Sequence, residues 1–180
     1  MPRRLRLRRR LPCLGVVLLL AAVLTGCGEK PLPVPELPTG SLSQKQYEDA
    51  FPRAAQGLAA RYGVGRDLDS DAGAARQAEH VAGLQRLLRD WATRLDSLHP
   101  PEPAVAPQAR YVAGIRSFAA DLDRARTALE HGDVQAANAL LSTGRIVSAR
   151  TRADLLAARR GFHALGYHLQ DLDRAPVKTD

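Results

Sequence analysis

Cysteine, methionine and aromatic side chains are scarce in this 180-residue chain, which has two Cys, one Met, one Trp, four Tyr and three Phe. Both cysteines, Cys13 and Cys27, and the single Met1 fall within the first 27 residues. Disulfides, thiol nucleophiles and cysteine-held metals are therefore excluded for everything after Cys27. There is no Glu-x-x-His of the di-iron bundles, no Cys-x-x-Cys-His of haem attachment, no Gly-x-Ser-x-Gly elbow and no phosphate loop. The sequence thus calls for no cofactor and reads as a protein that is not an enzyme. Acidic residues are missing from one stretch only: residues 1–26 hold six arginines and no Asp or Glu. The formal charge of +7 comes almost wholly from there, since 20 basic residues face 19 acidic ones from Cys27 onward. A near-neutral body argues against nucleic acid as a partner, because phosphate neutralisation needs a clustered positive surplus on the folded domain.

What the N-terminus does contain is an address. Behind the arginines runs an apolar segment, residues 14–24, too short to span a bilayer and laid out like a secretory signal. It ends in Leu24-Thr25-Gly26-Cys27, which resembles the lipobox of bacterial lipoproteins. The resemblance covers the first 27 residues. It implies cleavage between Gly26 and Cys27, diacylglycerol on the Cys27 thiol, and a protein anchored by lipid on the extracytoplasmic face of the cell membrane, periplasmic in a two-membrane cell. Two acyl chains bury enough CH₂ groups, at ~0.8 kcal/mol each, to hold a protein in a bilayer without a membrane-spanning helix.

Residues 1–26 then form a removed signal peptide and 27–41 a tether. Pro31, Pro33, Pro35 and Pro38 make the tether read as an extended polyproline segment reaching ~40 Å and holding the body clear of the headgroups. Residues 42–175 read as the folded domain and 176–180 as a tail.

Every segment of that domain carries a helical period, and no alternating β-branched window competes with it. Ser43 and Gln46 offer a capping box for a first helix through Tyr47, Phe51, Leu58 and Tyr62, kinked or restarted at Pro52. A second helix of ~27 residues, about 40 Å long, carries Val81, Leu84, Leu88, Trp91, Leu95 and Leu98 at 3-4-3-4-3 spacing. Its charged row Arg86, Asp90, Arg94 marks an exposed face. After Pro100, Pro101 and Pro103 a third helix places Val112, Ile115, Phe118, Leu122, Ala125 and Leu129 on one side. Gly132 stops it and Asp133 caps a fourth, which runs on through Leu140, Thr151, Phe162 and Leu169 with a break near Gly144 or Gly161. Short connections favour antiparallel neighbours, so the fold expected is all-α, an antiparallel four-helix bundle with up-down-up-down topology.

Two features point beyond structure. Arg145, Arg152 and Arg159 recur every seven residues on the fourth helix, with Asp154 the one acid between 134 and 170. Such a stripe suits an acidic protein partner or anionic headgroups. Asp67, Asp69 and Asp71 supply positions 1, 3 and 5 of a calcium loop, but Ala72 stands where glycine belongs and Glu79 falls one place late. A solvated turn, with Asp71 capping the second helix, explains the same residues. The five histidines, His80, His99, His131, His163 and His168, have no pair at i, i+3 or i, i+4 on one helix, so no metal is expected of them. The function expected is an interaction or accessory module at the membrane surface. The alternative is a lipid-anchored binder of a small ligand or Ca²⁺, through the bundle interior or the 67–71 loop.

Overall fold

The computed structural model describes residues 33–64, 73–169 and 172. Within them the fold is all-α, with no strand among the described residues. Seven helices follow in order: α1 Gln44–Arg53, α2 Leu58–Arg61, α3 Ala74–Asp96, α4 Val105–Asp121, α5 Asp123–Glu130, α6 Val134–Ser142 and α7 Ala149–Ala164. None is long and apolar enough to cross a membrane.

Local chemistry sets most of the boundaries. At α1 both halves of the capping box form: Gln46 N donates to Ser43 Oγ, and Ser43 N donates to Gln46 Oε1 at 2.8 Å. Pro52 sits in the last turn and the helix ends one residue later; Gly57, at φ +78°, then restarts the chain as α2. Asp133 caps α6 by accepting from Ala136 N at 2.8 Å. The expected second helix is real but shorter, 23 residues in α3 or about 35 Å. The third is divided at Leu122 between α4 and α5. The fourth splits fully. Residues 143–148 turn through Gly144 at φ +68°, and α7 restarts at the cap Ser148, whose Oγ accepts from Thr151 N. Gly161 does not break it and lies inside α7.

The helices pair antiparallel. Gln108 Nε2 of α4 reaches the Leu98 carbonyl just after α3, Trp91 lies edge-on to Tyr111, and Gln85 Nε2 of α3 donates to the Ala119 carbonyl at 2.9 Å, so α3 and α4 run in opposite directions. Along another face of α4, Arg110 pairs with Asp154, and Pro107 meets Gly161, which reverses α7 against α4 in the same way. Asp121 extends that seam by accepting from Thr151 Oγ1 at 2.7 Å and Ser148 N at 2.8 Å. α2 packs on α3, α5 on α3 and α6 on α5.

Every residue of the α3 seam named above is buried, Val81 through Leu98. The core concentrates the scarce aromatics: Tyr47, Phe51, Trp91, Tyr111, Phe162 and Tyr167 form one connected cluster with centroids 5.3–6.1 Å apart. It joins α1, α3, α4 and α7, and each well-placed ring pair adds about 0.5–1.5 kcal/mol beyond area burial. Close approach of the helices rests on glycine. A Cβ on Gly114 would stand 2.7 Å from Leu155 Cδ2, one on Gly161 2.8 Å from Pro107 Cγ, and one on Gly83 2.8 Å from the Tyr62 carbonyl oxygen.

Candidate functional site

The proline-rich stretch behaves differently from a free tether once it reaches Pro33. Val34 and Leu37 pack against the core, and the Pro35 carbonyl accepts from Arg94 Nη2 at 2.6 Å. Arg94 Nε donates to the Ala54 carbonyl at 2.9 Å, so one guanidinium ties the stretch to the end of α1. Leu42 is buried and its N–H donates to the His99 carbonyl at 2.9 Å, beside an isolated bridge between Ser41 and His99. Residues 33–42 are thus a strap on the body rather than a spacer. Proline leaves carbonyls without a neighbouring N–H to satisfy them, and a fixed-geometry Arg fork suits two such acceptors. The expectation that Arg86, Asp90 and Arg94 form an exposed row is corrected accordingly. Asp90 is half-buried, accepting from Tyr62 Oη at 3.0 Å and Arg61 Nη1 at 3.4 Å. Partial burial and the Asp90 contact push the Tyr62 phenol above its ordinary range.

The arginine stripe is rearranged by the break in the fourth helix. Arg152 and Arg159 lie on α7, but Arg145 sits in the turn at 143–148, where its carbonyl accepts from Arg124 Nη2. Asp154 does not oppose the stripe: it is buried, and paired with Arg110 at 3.1 Å. Arg145, Arg150, Arg152 and Arg160 are exposed and Arg159 is half-buried. What remains is a basic surface at the start and outer side of α7.

The acids of the proposed calcium loop, Asp67, Asp69 and Asp71, lie outside the described residues, as do Gly26 and Cys27. Among the described residues no group of three or more His, Asp or Glu side chains is arranged to hold a metal. His131 caps the end of α5, with Nδ1 2.7 Å from the Thr127 carbonyl. His80 is half-buried on α3, where loss of hydration lowers its pKa from the ordinary 6.5.

Among the described residues four buried side-chain polar atoms stand without hydrogen-bond partners, Gln108 Oε1, Arg126 Nε and, within the aromatic cluster, the Tyr47 hydroxyl and the Trp91 indole Nε1. Burial, followed by the neighbouring Tyr167 and Tyr111 hydroxyls, raises the Tyr47 pKa far above its usual value, so this phenol stays protonated. The residues that latch helices together were not marked by any motif. Asp121 holds the start of α7, and Asp123 accepts from Gln85 Nε2 at 2.8 Å. Asp-Leu-Asp at 121–123 recurs at 67–69 and 171–173 with little similarity around the copies, so the tripeptide gives no signal for these contacts. No known protein family, characterised protein or solved structure gives a significant match to this chain.

Proposed function

We propose that this protein is lipid-anchored through Cys27 at the extracytoplasmic membrane face and serves there as an interaction or accessory module without catalytic chemistry of its own. The observation that carries the reading is Leu24-Thr25-Gly26-Cys27 placed directly behind an arginine-rich start and a short apolar run. The body is a four-helix up-down-up-down bundle in this reading, its legs being α1 with α2, α3, α4 with α5, and α7. The antiparallel pairings of α3 with α4 and α4 with α7 support that grouping. An acidic protein partner docks on the outer side of α7 and the turn before it, on Arg145, Arg152 and Arg159; the exposure of Arg145 and Arg152 supports it.

Crosslinking in intact cells, followed by mass spectrometry of the purified adduct, tests this reading. One dominant stoichiometric protein, lost when Arg145, Arg152 and Arg159 are replaced by Glu, is the expected result. An adduct unchanged by that replacement overturns the role of the surface, and crosslinks to lipid alone assign it to headgroups instead.

The second reading is a small ligand in the bundle interior or Ca²⁺ at Asp67, Asp69 and Asp71. The unpartnered Tyr47 hydroxyl and Trp91 N–H favour the interior version, since buried donors are normally satisfied. Calcium-dependent thermal stabilisation that disappears in Asp69→Ala would favour the loop.

A further inference from the structure

We infer that the surface beneath the strap is a binding site for an extended proline-rich peptide of a partner protein, and that residues 33–39 occupy it in cis until such a peptide displaces them. The inference goes beyond the α7 surface and needs neither those arginines nor an acyl group on Cys27.

The strap has the form of a ligand. Val34 and Leu37 each precede a proline, which holds both in extended backbone, and Pro35 and Pro38 have φ fixed by their rings. A polyproline helix has three residues per turn, so positions three apart share an edge. Exposure follows that period: Pro33, Glu36 and Thr39 are exposed, whereas Val34 and Leu37 are half-buried and pack against the core. The stretch therefore reads apolar-Pro-x-apolar-Pro, with its two apolar side chains on the inward edge.

The body supplies the receptor. Leu42 is held at His99, just past the end of α3, while Pro35 and Ala54 share the Arg94 guanidinium, so the strap runs back along α1 from its start to its end. Proline-rich segments are recognised in this general way, by apolar contact along one edge of a preformed extended backbone that loses little entropy on binding. Arg94 adds a donor aimed at a main-chain carbonyl, which reads backbone geometry rather than one particular side chain.

The hold on the strap is slight. Among the described residues, two hydrogen bonds fasten residues 33–42 to the body, one at the Pro35 carbonyl and one at the Leu42 N–H, and no residue from 33 to 41 is fully buried. What keeps the segment seated is its attachment, because a ligand joined by a short linker faces its site at an effective concentration on the order of millimolar. A partner already beside the protein brings its own proline-rich segment at comparable local concentration and can take the site.

The test uses the full-length chain in detergent, with a site-specific protease sequence inserted between Thr39 and Gly40, both exposed, where a Cβ on Gly40 would meet nothing within 4 Å. Cutting there leaves Leu42 at His99 and makes residues 33–39 a ligand in trans. The probe is a fluorescein-labelled synthetic peptide of residues 33–39, read by anisotropy. The cut chain is expected to bind it one to one, and the uncut chain to bind it roughly tenfold more weakly or worse. A peptide carrying Glu36→Ala and Thr39→Ala should bind as the native one does, whereas Val34→Asp with Leu37→Asp should abolish binding. Arg94→Ala in the cut chain should weaken binding about tenfold or more, the scale of a hydrogen bond from a charged donor. Independently of cutting, the intact chain carrying Val34→Asp and Leu37→Asp, whose own strap no longer seats, should bind the native peptide. Arg145→Glu, Arg152→Glu and Arg159→Glu together should leave that affinity unchanged, so failure of this inference is told apart from failure of the α7 reading. No peptide binding by either opened chain, each with the helical circular dichroism of the parent, overturns the inference. So does affinity unaltered by Arg94→Ala, or equal for the inward- and outward-substituted peptides. Loss of helix on opening both chains overturns it as well, since the strap would then be part of the core and not an occupant.

Discussion

Arg94 of α3 and Pro35 of the strap are joined at 2.6 Å, Nη2 to carbonyl oxygen, while Nε of the same side chain holds the Ala54 carbonyl. One cation therefore satisfies two backbone acceptors from separate segments, which makes the strap part of the fold. Arg94→Ala should lower stability by about 2 kcal/mol, the usual scale for hydrogen bonds from a charged donor. It should also open residues 33–42 to limited proteolysis. Arg94→Lys should recover only part of the loss, because an ammonium does not reproduce the fork. Denaturant melts and protease mapping of the three chains check this; a strap equally resistant in Arg94→Ala would contradict it.

Tyr47 is fully buried and its hydroxyl has no partner. Removing an unsatisfied polar atom relieves desolvation, so Tyr47→Phe should be neutral or stabilising by about 1 kcal/mol. Tyr47→Ala should cost about 3–5 kcal/mol, since it empties the centre of the aromatic cluster. Thermal denaturation separates the two. Clear destabilisation by the Phe variant would mean the hydroxyl is bonded to something held in the interior, which favours the ligand reading.

Gly83 lets α3 approach the Tyr62 carbonyl, with an added Cβ at 2.8 Å from that backbone oxygen. Alanine is the better helix former by about 1 kcal/mol, yet the clash is with main chain that cannot rotate away. Gly83→Ala should therefore destabilise by about 1–3 kcal/mol net of propensity. Gly114→Ala meets the tip of Leu155 instead, at 2.7 Å, and should be partly rescued by Leu155→Ala in a double-mutant cycle.

His80 supplies a pH signature. Its folded pKa is depressed by burial below the 6.5 of the open chain, so the unfolded state binds the proton more readily. Stability should be at its plateau above about pH 7 and fall as pH drops through 6.5 toward the depressed folded value. Replacing His80 by Gln should flatten that part of the profile. An unchanged slope in melts from pH 7.5 to 5 would assign it to other groups.

The sequence made some elements plain and hid others for physical reasons. The α3 seam was legible because six apolar residues at 3-4 spacing admit one helical face, and all six are buried. Ser43 with Gln46, and Asp133, were legible because caps act within three residues. The split at Gly144 was only half visible: apolar period continues across it through Val147, Thr151 and Leu155, and periodicity does not register a change of axis. The docking of residues 33–42 was hidden because proline-rich composition is shared by solvated spacers and docked straps. What decides between them is Arg94, 59 residues from its Pro35 partner. Asp121 was hidden similarly, since its acceptor role depends on Ser148 and Thr151 arriving from the next leg of the fold.

The most direct measurement is the mass of the N-terminal peptide of the protein purified from cell membranes. A chain that begins at Cys27 and carries diacylglycerol on its thiol is the expected result. A chain that begins at Met1, or one with an unmodified Cys27, would contradict it.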